Sequence, residues 1–113
     1  MESLEQITKI MRPLEITNGV PLDMLWSDPE PYISGWQDNE RGVSYGYGYD
    51  SVQSFLKNNK LDLIVRSHQI VENGFEFMFN KQLVTIFSVP NFMGEYDNYG
   101  AVMAVEEELK CSF

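Results

Sequence analysis

At 113 residues the chain is long enough for one domain or a piece of a larger one and too short for two ordinary domains, and its 43% hydrophobic and 13% aromatic content excludes the apolar-poor disordered class. A formal charge of -9, from 17 acidic against 8 basic residues, repels phosphate backbones and anionic lipid, so neither nucleic acid nor a membrane is an expected partner. The single cysteine, Cys111, excludes an internal disulfide, and with neither a signal peptide nor a bilayer-length apolar run in view the expected location is cytoplasmic, nuclear or both.

Ser3 and Gln6 have the spacing of a capping box, and Leu4, Ile7 and Met11 recur on one face before Pro13, which predicts a first helix. Asn18-Gly19 marks a turn, after which Pro21 starts a short helix carrying Leu22, Leu25 and Trp26. From Ser27 to Gly48 apolar residues are few while Gly, Asp and aromatic residues alternate, the composition of a long exposed loop with short strands. Asp50 and Gln53 repeat the capping pattern ahead of Val52, Phe55 and Leu56, an apolar stripe that predicts a helix fraying near Asn58-Asn59.

Beyond that helix the signal turns to strands. Leu61 to Val65 is a short apolar run that reads as a buried strand after a crossover. Glu72-Asn73-Gly74 separates it from the alternating Phe75, Phe77 and Phe79, and Asn80-Lys81 separates those from Leu83 to Phe87, which predicts hairpins. Ala101 to Val105 gives another strand, and Leu109, Cys111 and Phe113 alternate at the end. The order of helix, loop, helix and strands points to an α/β fold, part of an α/β sandwich.

Spacing alone identifies no chemistry. There is no Gly-rich phosphate loop, no cysteine pair and one histidine, so neither a zinc site nor a Cys-His pair can be assembled. Taken alone, His68 reads as a surface or satisfied core residue at the end of an apolar strand. Arg41, between Glu40 and Gly42, has a donor fork suited to phosphate, and taken alone it reads as one half of an exposed ion pair.

Longer motifs add what spacing does not. Leu25-Trp26-Ser27-Asp28-Pro29, Arg41-Gly42-Val43-Ser44, Arg66-Ser67-His68-Gln69 and Ser88-Val89-Pro90-Asn91 with Gly94-Glu95 stand in the order and spacing of phosphoprotein phosphatases. Glu5-Gln6-Ile7, Ile10-Met11-Arg12-Pro13, Gly94-Glu95-Tyr96-Asp97-Asn98 and Cys111-Ser112-Phe113 resemble the type-1 branch. The chain is therefore identified by resemblance, over essentially its whole length, with the C-terminal half of a type-1-like serine/threonine protein phosphatase. That resemblance implies the C-terminal part of a metallophosphoesterase α/β sandwich, residues 1–113 being one portion of a single catalytic domain whose N-terminal half is absent. It also implies hydrolysis of phosphoserine and phosphothreonine in proteins with two divalent ions of the manganese, iron or zinc type.

Position by position, the resemblance makes His68 a ligand of one metal and Arg41 the residue that grips the substrate phosphate. Asp28 corresponds to a buried acid near the metals, Asn91 and Glu95 to residues of the matching loop, and Trp26 to a wall of the substrate groove. Phe92, also in that groove, and Met93 replace a Tyr-Cys pair of the family, so a hydroxyl and a thiol are missing. The family's other ligands lie in Asp-x-His, Gly-Asp-x-x-Asp-Arg and Gly-Asn-His-Glu motifs and a further histidine, none of which occurs here. With one matching ligand the chain alone is expected to be inactive. The alternative is a non-catalytic docking module. In the type-1 branch, regulatory subunits insert Arg-Val-x-Phe type segments into an apolar groove, which the resemblance maps to Leu63, Phe77, Val84, Ile86, Met103, Leu109, Cys111 and Phe113, with Lys81 where the family has arginine.

Overall fold

The computed structural model describes residues 1–113 as two folded units, Met1–Asp62 and Leu63–Phe113. The first opens with α1 (Glu5–Thr8), a single turn that stops well short of Pro13. Gln6 does reach back, its Oε1 accepting the N–H groups of Ser3 at 3.0 Å and Glu2 at 2.7 Å, but no side chain caps the turn in return. Met11, expected on the apolar face, is 85% exposed. No residue of α1 is buried, and an isolated helix of this length has no stability of its own, which is why the predicted longer helix does not form.

The helix α2 (Gly19–Trp26) begins at Gly19, whose φ of +71° makes the entry turn, with Pro21 inside the first turn. The predicted loop contains β1 (Asp28–Pro29), β2 (Trp36–Asp38) and β3 (Tyr45–Tyr47), a sheet in which β3 is central, parallel to β1 and antiparallel to β2. Gly48 ends β3 so close to the Ile33 carbonyl that a Cβ there would overlap it. The next helix, α3 (Tyr49–Asn59), buries Val52 and Leu56 and stops at Lys60, a left-handed C-cap.

Asp50 does not cap α3, as its spacing suggested. Its carboxylate accepts the Gly35 N–H at 2.9 Å and the Ser34 hydroxyl at 2.7 Å, while Gln53 donates to the Tyr49 hydroxyl. Asp50 therefore fastens the loop before β2 to the first turn of α3. These hydrogen bonds, the Gly35 N–H first and the Ser34 hydroxyl second, hold its carboxyl below the usual aspartate range. At the other end of α3, Asn59 accepts the Leu4 N–H at 3.2 Å and donates to the Glu2 carbonyl at 3.0 Å, tying the N-terminal turn to the helix.

In the second unit β4 (Ile64–Arg66), β5 (Phe75–Met78) and β6 (Leu83–Ile86) form a sheet of order β4-β6-β5, with β4 parallel and β5 antiparallel to the central β6. The centre of this unit's core is β6: Leu83 and Val84 are fully buried, with Thr85 beside them. Being covered on both faces, it reads as a continuous apolar run. By contrast β4 starts later than the predicted Leu61 and is an edge strand, so Val65 is 50% exposed and not buried as expected. The hairpin turn Phe79-Asn80-Lys81 is left-handed at all three residues. After a short 3-10 turn at Phe92–Gly94, β7 (Ala104–Val105) and β8 (Cys111–Ser112) pair antiparallel, shorter than the alternation predicted because Ala101 instead joins Phe87 and Ser88. The class is the mixed α/β arrangement expected of a metallophosphoesterase fragment.

Two measurements test this account. Leu83→Ala should lower unfolding free energy by about 2 to 5 kcal/mol in chemical denaturation, since it empties the centre of the second core. A carboxyl whose folded pKa is depressed stabilises above its unfolded pKa and loses that contribution as pH falls through the folded value. Asp50→Asn should therefore lower Tm at neutral pH, and the difference from wild type should close below roughly pH 4.

Candidate functional site

Between β2 and β3 the chain reverses over Asn39–Ser44. The Asn39 carbonyl accepts the Gly42 N–H at 3.0 Å, the Asn39 N–H donates to the Ser44 carbonyl at 3.2 Å, and Gly42 takes φ of +73°. Arg41 sits at the turn's apex and folds back onto β1. Its Nε donates to Asp28 Oδ2 at 2.5 Å and its Nη2 to Oδ1 at 3.3 Å, a two-pronged pair. The Asp28 side chain is 3% exposed and that of Arg41 32%, so the pair spans from interior to surface.

Neighbouring side chains complete this arrangement. Asn39 Nδ2 donates to Asp28 Oδ2 at 2.9 Å and to the Trp26 carbonyl at 3.1 Å. Ser44 donates to Asp23 Oδ1 at 2.7 Å and shares a 2.8 Å hydrogen bond with the buried Ser27. A cleft of about 620 Å³ opens alongside, lined among others by Asp23, Asp38, Asn39, Gly42 and Tyr45. Of the residues the sequence singled out, the fold pairs Arg41 with Asp28 and ties the Trp26 carbonyl to the same asparagine. The sequence missed Asn39, whose one signal was an asparagine three residues before a glycine.

The remaining predicted residues lie in the second unit. His68 follows β4 and is exposed, with φ of +84°. Asn91, also left-handed, begins the Phe92–Gly94 turn, and Glu95 is exposed just after it. The Phe92 ring meets Phe87 edge-on with centroids 5.2 Å apart and lies 6.2 Å from Tyr96. Asn98 holds this loop: its Oδ1 accepts the Phe92 N–H at 3.0 Å, and its Nδ2 donates to the carbonyls of Val89 and Tyr99. Nothing in the spacing of residues marked Asn98 for that role.

The predicted docking residues meet only in part. Pairing of β5 with β6 places Phe77 opposite Val84 and Phe75 opposite Ile86, on one face of the sheet. Phe113 stacks on Phe75 at 4.1 Å and meets Phe77 edge-on at 5.6 Å. Val84 is fully buried, opposite Phe77 on the neighbouring strand. Leu109, Cys111 and Lys81 are exposed at turns or on β8, while Leu63 and Met103 are half-buried.

The family pattern implies divalent ions, and the residues present do not form a centre for them. No three His, Cys, Asp or Glu side chains converge as metal ligands. One histidine at a strand end does not by itself make a two-metal centre.

Comparison with known proteins bears on the family and the fold. The family model described as calcineurin-like phosphoesterase matches residues 1–72. The structure of a protein serine/threonine phosphatase from Saccharomyces cerevisiae with similarity to human phosphatase PP5 superimposes with a TM-score of 0.84 at 34% identity, covering 91% of this chain and 32% of that chain. This chain thus spans about a third of the length of that phosphatase. With a family model matched over more than half its length and a phosphatase structure 34% identical over 91% of the chain, the chain belongs to the calcineurin-like phosphoesterase family and resembles a serine/threonine phosphatase.

Proposed function

We propose that this chain is the C-terminal portion of a metal-dependent protein phosphatase acting on phosphoserine and phosphothreonine, and that its own contribution is to grip the phosphate. The observation that carries the reading is Arg41, a guanidinium at the surface anchored by a buried carboxylate. Hydrolysis of a phosphate ester spreads charge over the equatorial oxygens, and a fixed cation stabilises that charge without having to reorganise. Asp28 in this reading acts through Arg41. The likeness to a serine/threonine phosphatase supports the substrate class.

A second reading rests on the aromatic face of the β5–β6 hairpin. There β5 is an edge strand, and Phe77, at the surface beside Phe113, offers an apolar anchor for a Val-x-Phe segment pairing with that edge as an added strand.

Three outcomes are expected. The 113-residue chain should release no phosphate from phosphoserine peptides on adding manganese, and turnover abolished by His68→Ala would overturn that expectation. In a longer protein that supplies the remaining ligands, Arg41→Ala should lower kcat/KM by an amount equivalent to about 2 to 4 kcal/mol. An unchanged value removes Arg41 from the site. For the docking reading, a Val-x-Phe peptide titrated into the chain should bind, and Phe77→Asp should abolish binding, while silence at millimolar peptide rules it out.

A further inference from the structure

We infer that Asn39 is the positioning residue for Arg41, holding both the backbone from which the arginine departs and the carboxylate on which its guanidinium rests. The functional meaning of this role rests on the reading of Arg41 as the phosphate grip. Its geometry stands independently. Asn39 Oδ1 accepts the Arg41 N–H at 3.0 Å, an Asx turn that sets the direction of the Arg41 Cα–Cβ bond. Asn39 Nδ2 serves Asp28 Oδ2 at 2.9 Å, the Trp26 carbonyl at 3.1 Å and the Tyr45 carbonyl at 3.3 Å. Two amide protons are thus spread over three oxygens, drawn from the end of α2, from β1 and from β3.

Neither aspartate nor alanine meets both demands in the same space. Aspartate would keep the turn but aim an oxygen at three oxygens, one of them the buried Asp28 carboxylate. Alanine would leave the Arg41 N–H and three acceptors without the amide. In either case Asp28 Oδ2, which Asn39 and Arg41 Nε share, loses a donor that sets its orientation. The guanidinium then turns with the carboxylate, and an anion site built on it loses its aim. An arginine at the surface that is directed by a neighbour's amide differs from one in an ordinary ion pair, which would tolerate that rotation.

The test reads the Arg41 Nε–H by ¹H–¹⁵N NMR in the 113-residue chain, with the exposed Arg12 as internal reference. In wild type the Arg41 signal should be motionally restricted, and inorganic phosphate, the probe, should shift it saturably. Asn39→Asp, which keeps the Asx turn, and Asn39→Ala should each bring its dynamics to those of Arg12 and weaken the phosphate response at least fivefold. The backbone amides of Val52 and Leu56, in the same unit, should stay in place and show that the fold is kept. An Arg41 Nε–H as restricted in both variants as in wild type overturns the inference. If the variants release Arg41 while phosphate leaves the wild-type signal unmoved, the positioning role is upheld and the phosphate grip is what fails.

Discussion

A carboxylate taken out of water must be paired, and the first unit is arranged around that requirement at Asp28. With 2% of its surface accessible, the residue has Arg41 on one side and Asn39 on the other, and both come from the turn joining β2 to β3. Removing either donor leaves a buried charge short of a partner, which costs more than the contact itself is worth. The hairpin is therefore held in register on β1 by polar contacts, although the sheet has only two or three residues per strand. The same contacts put a guanidinium at the surface in a defined direction, so the element that stabilises the loop is also the one proposed to grip phosphate.

Elsewhere in that unit, polar side chains substitute for a large core. Asp50 binds the loop before β2, Asn59 binds the N-terminal turn, and Ser27, Ser44 and Asp23 form a chain of hydrogen bonds. Of this unit's apolar side chains, Val52, Leu56 and Pro29 are buried. The second unit works the other way. Its order comes from apolar packing on β6, and its loop at Phe92–Gly94 is kept in shape by the amide of Asn98. A family member needs both kinds of order: a rigid sheet to carry site loops, and loops whose backbone groups are satisfied locally because they lie outside the sheet.

Several large apolar side chains remain at the surface, among them Leu25, Trp36, Val65, Phe77 and Leu109. They accompany a match that spans 32% of a related phosphatase, and one candidate metal ligand among the residues present. To the phosphatase reading proposed for this chain, the first unit brings an arginine and the side chains that hold it.

What the sequence determined by itself was the part written in local periodicity and in contiguous motifs: α3 from Val52 and Leu56, the β5–β6 hairpin from alternating phenylalanines and a turn, and the family from the segments around Asp28, Arg41 and His68. It misjudged α1, where the capping pattern was present but no partner surface rewards a longer helix, and Asp50, whose spacing matched a cap while its carboxylate went to Gly35. Taken alone it made Arg41 half of an exposed ion pair, and the resemblance made it the residue that grips the substrate phosphate. Tertiary structure decided that the ion pair exists, with a partner thirteen residues away, and that Asn39 directs it. A hydrogen bond across such a distance depends on the pairing of β1 with β3, a register set by the whole unit, and no local pattern of residue types encodes it.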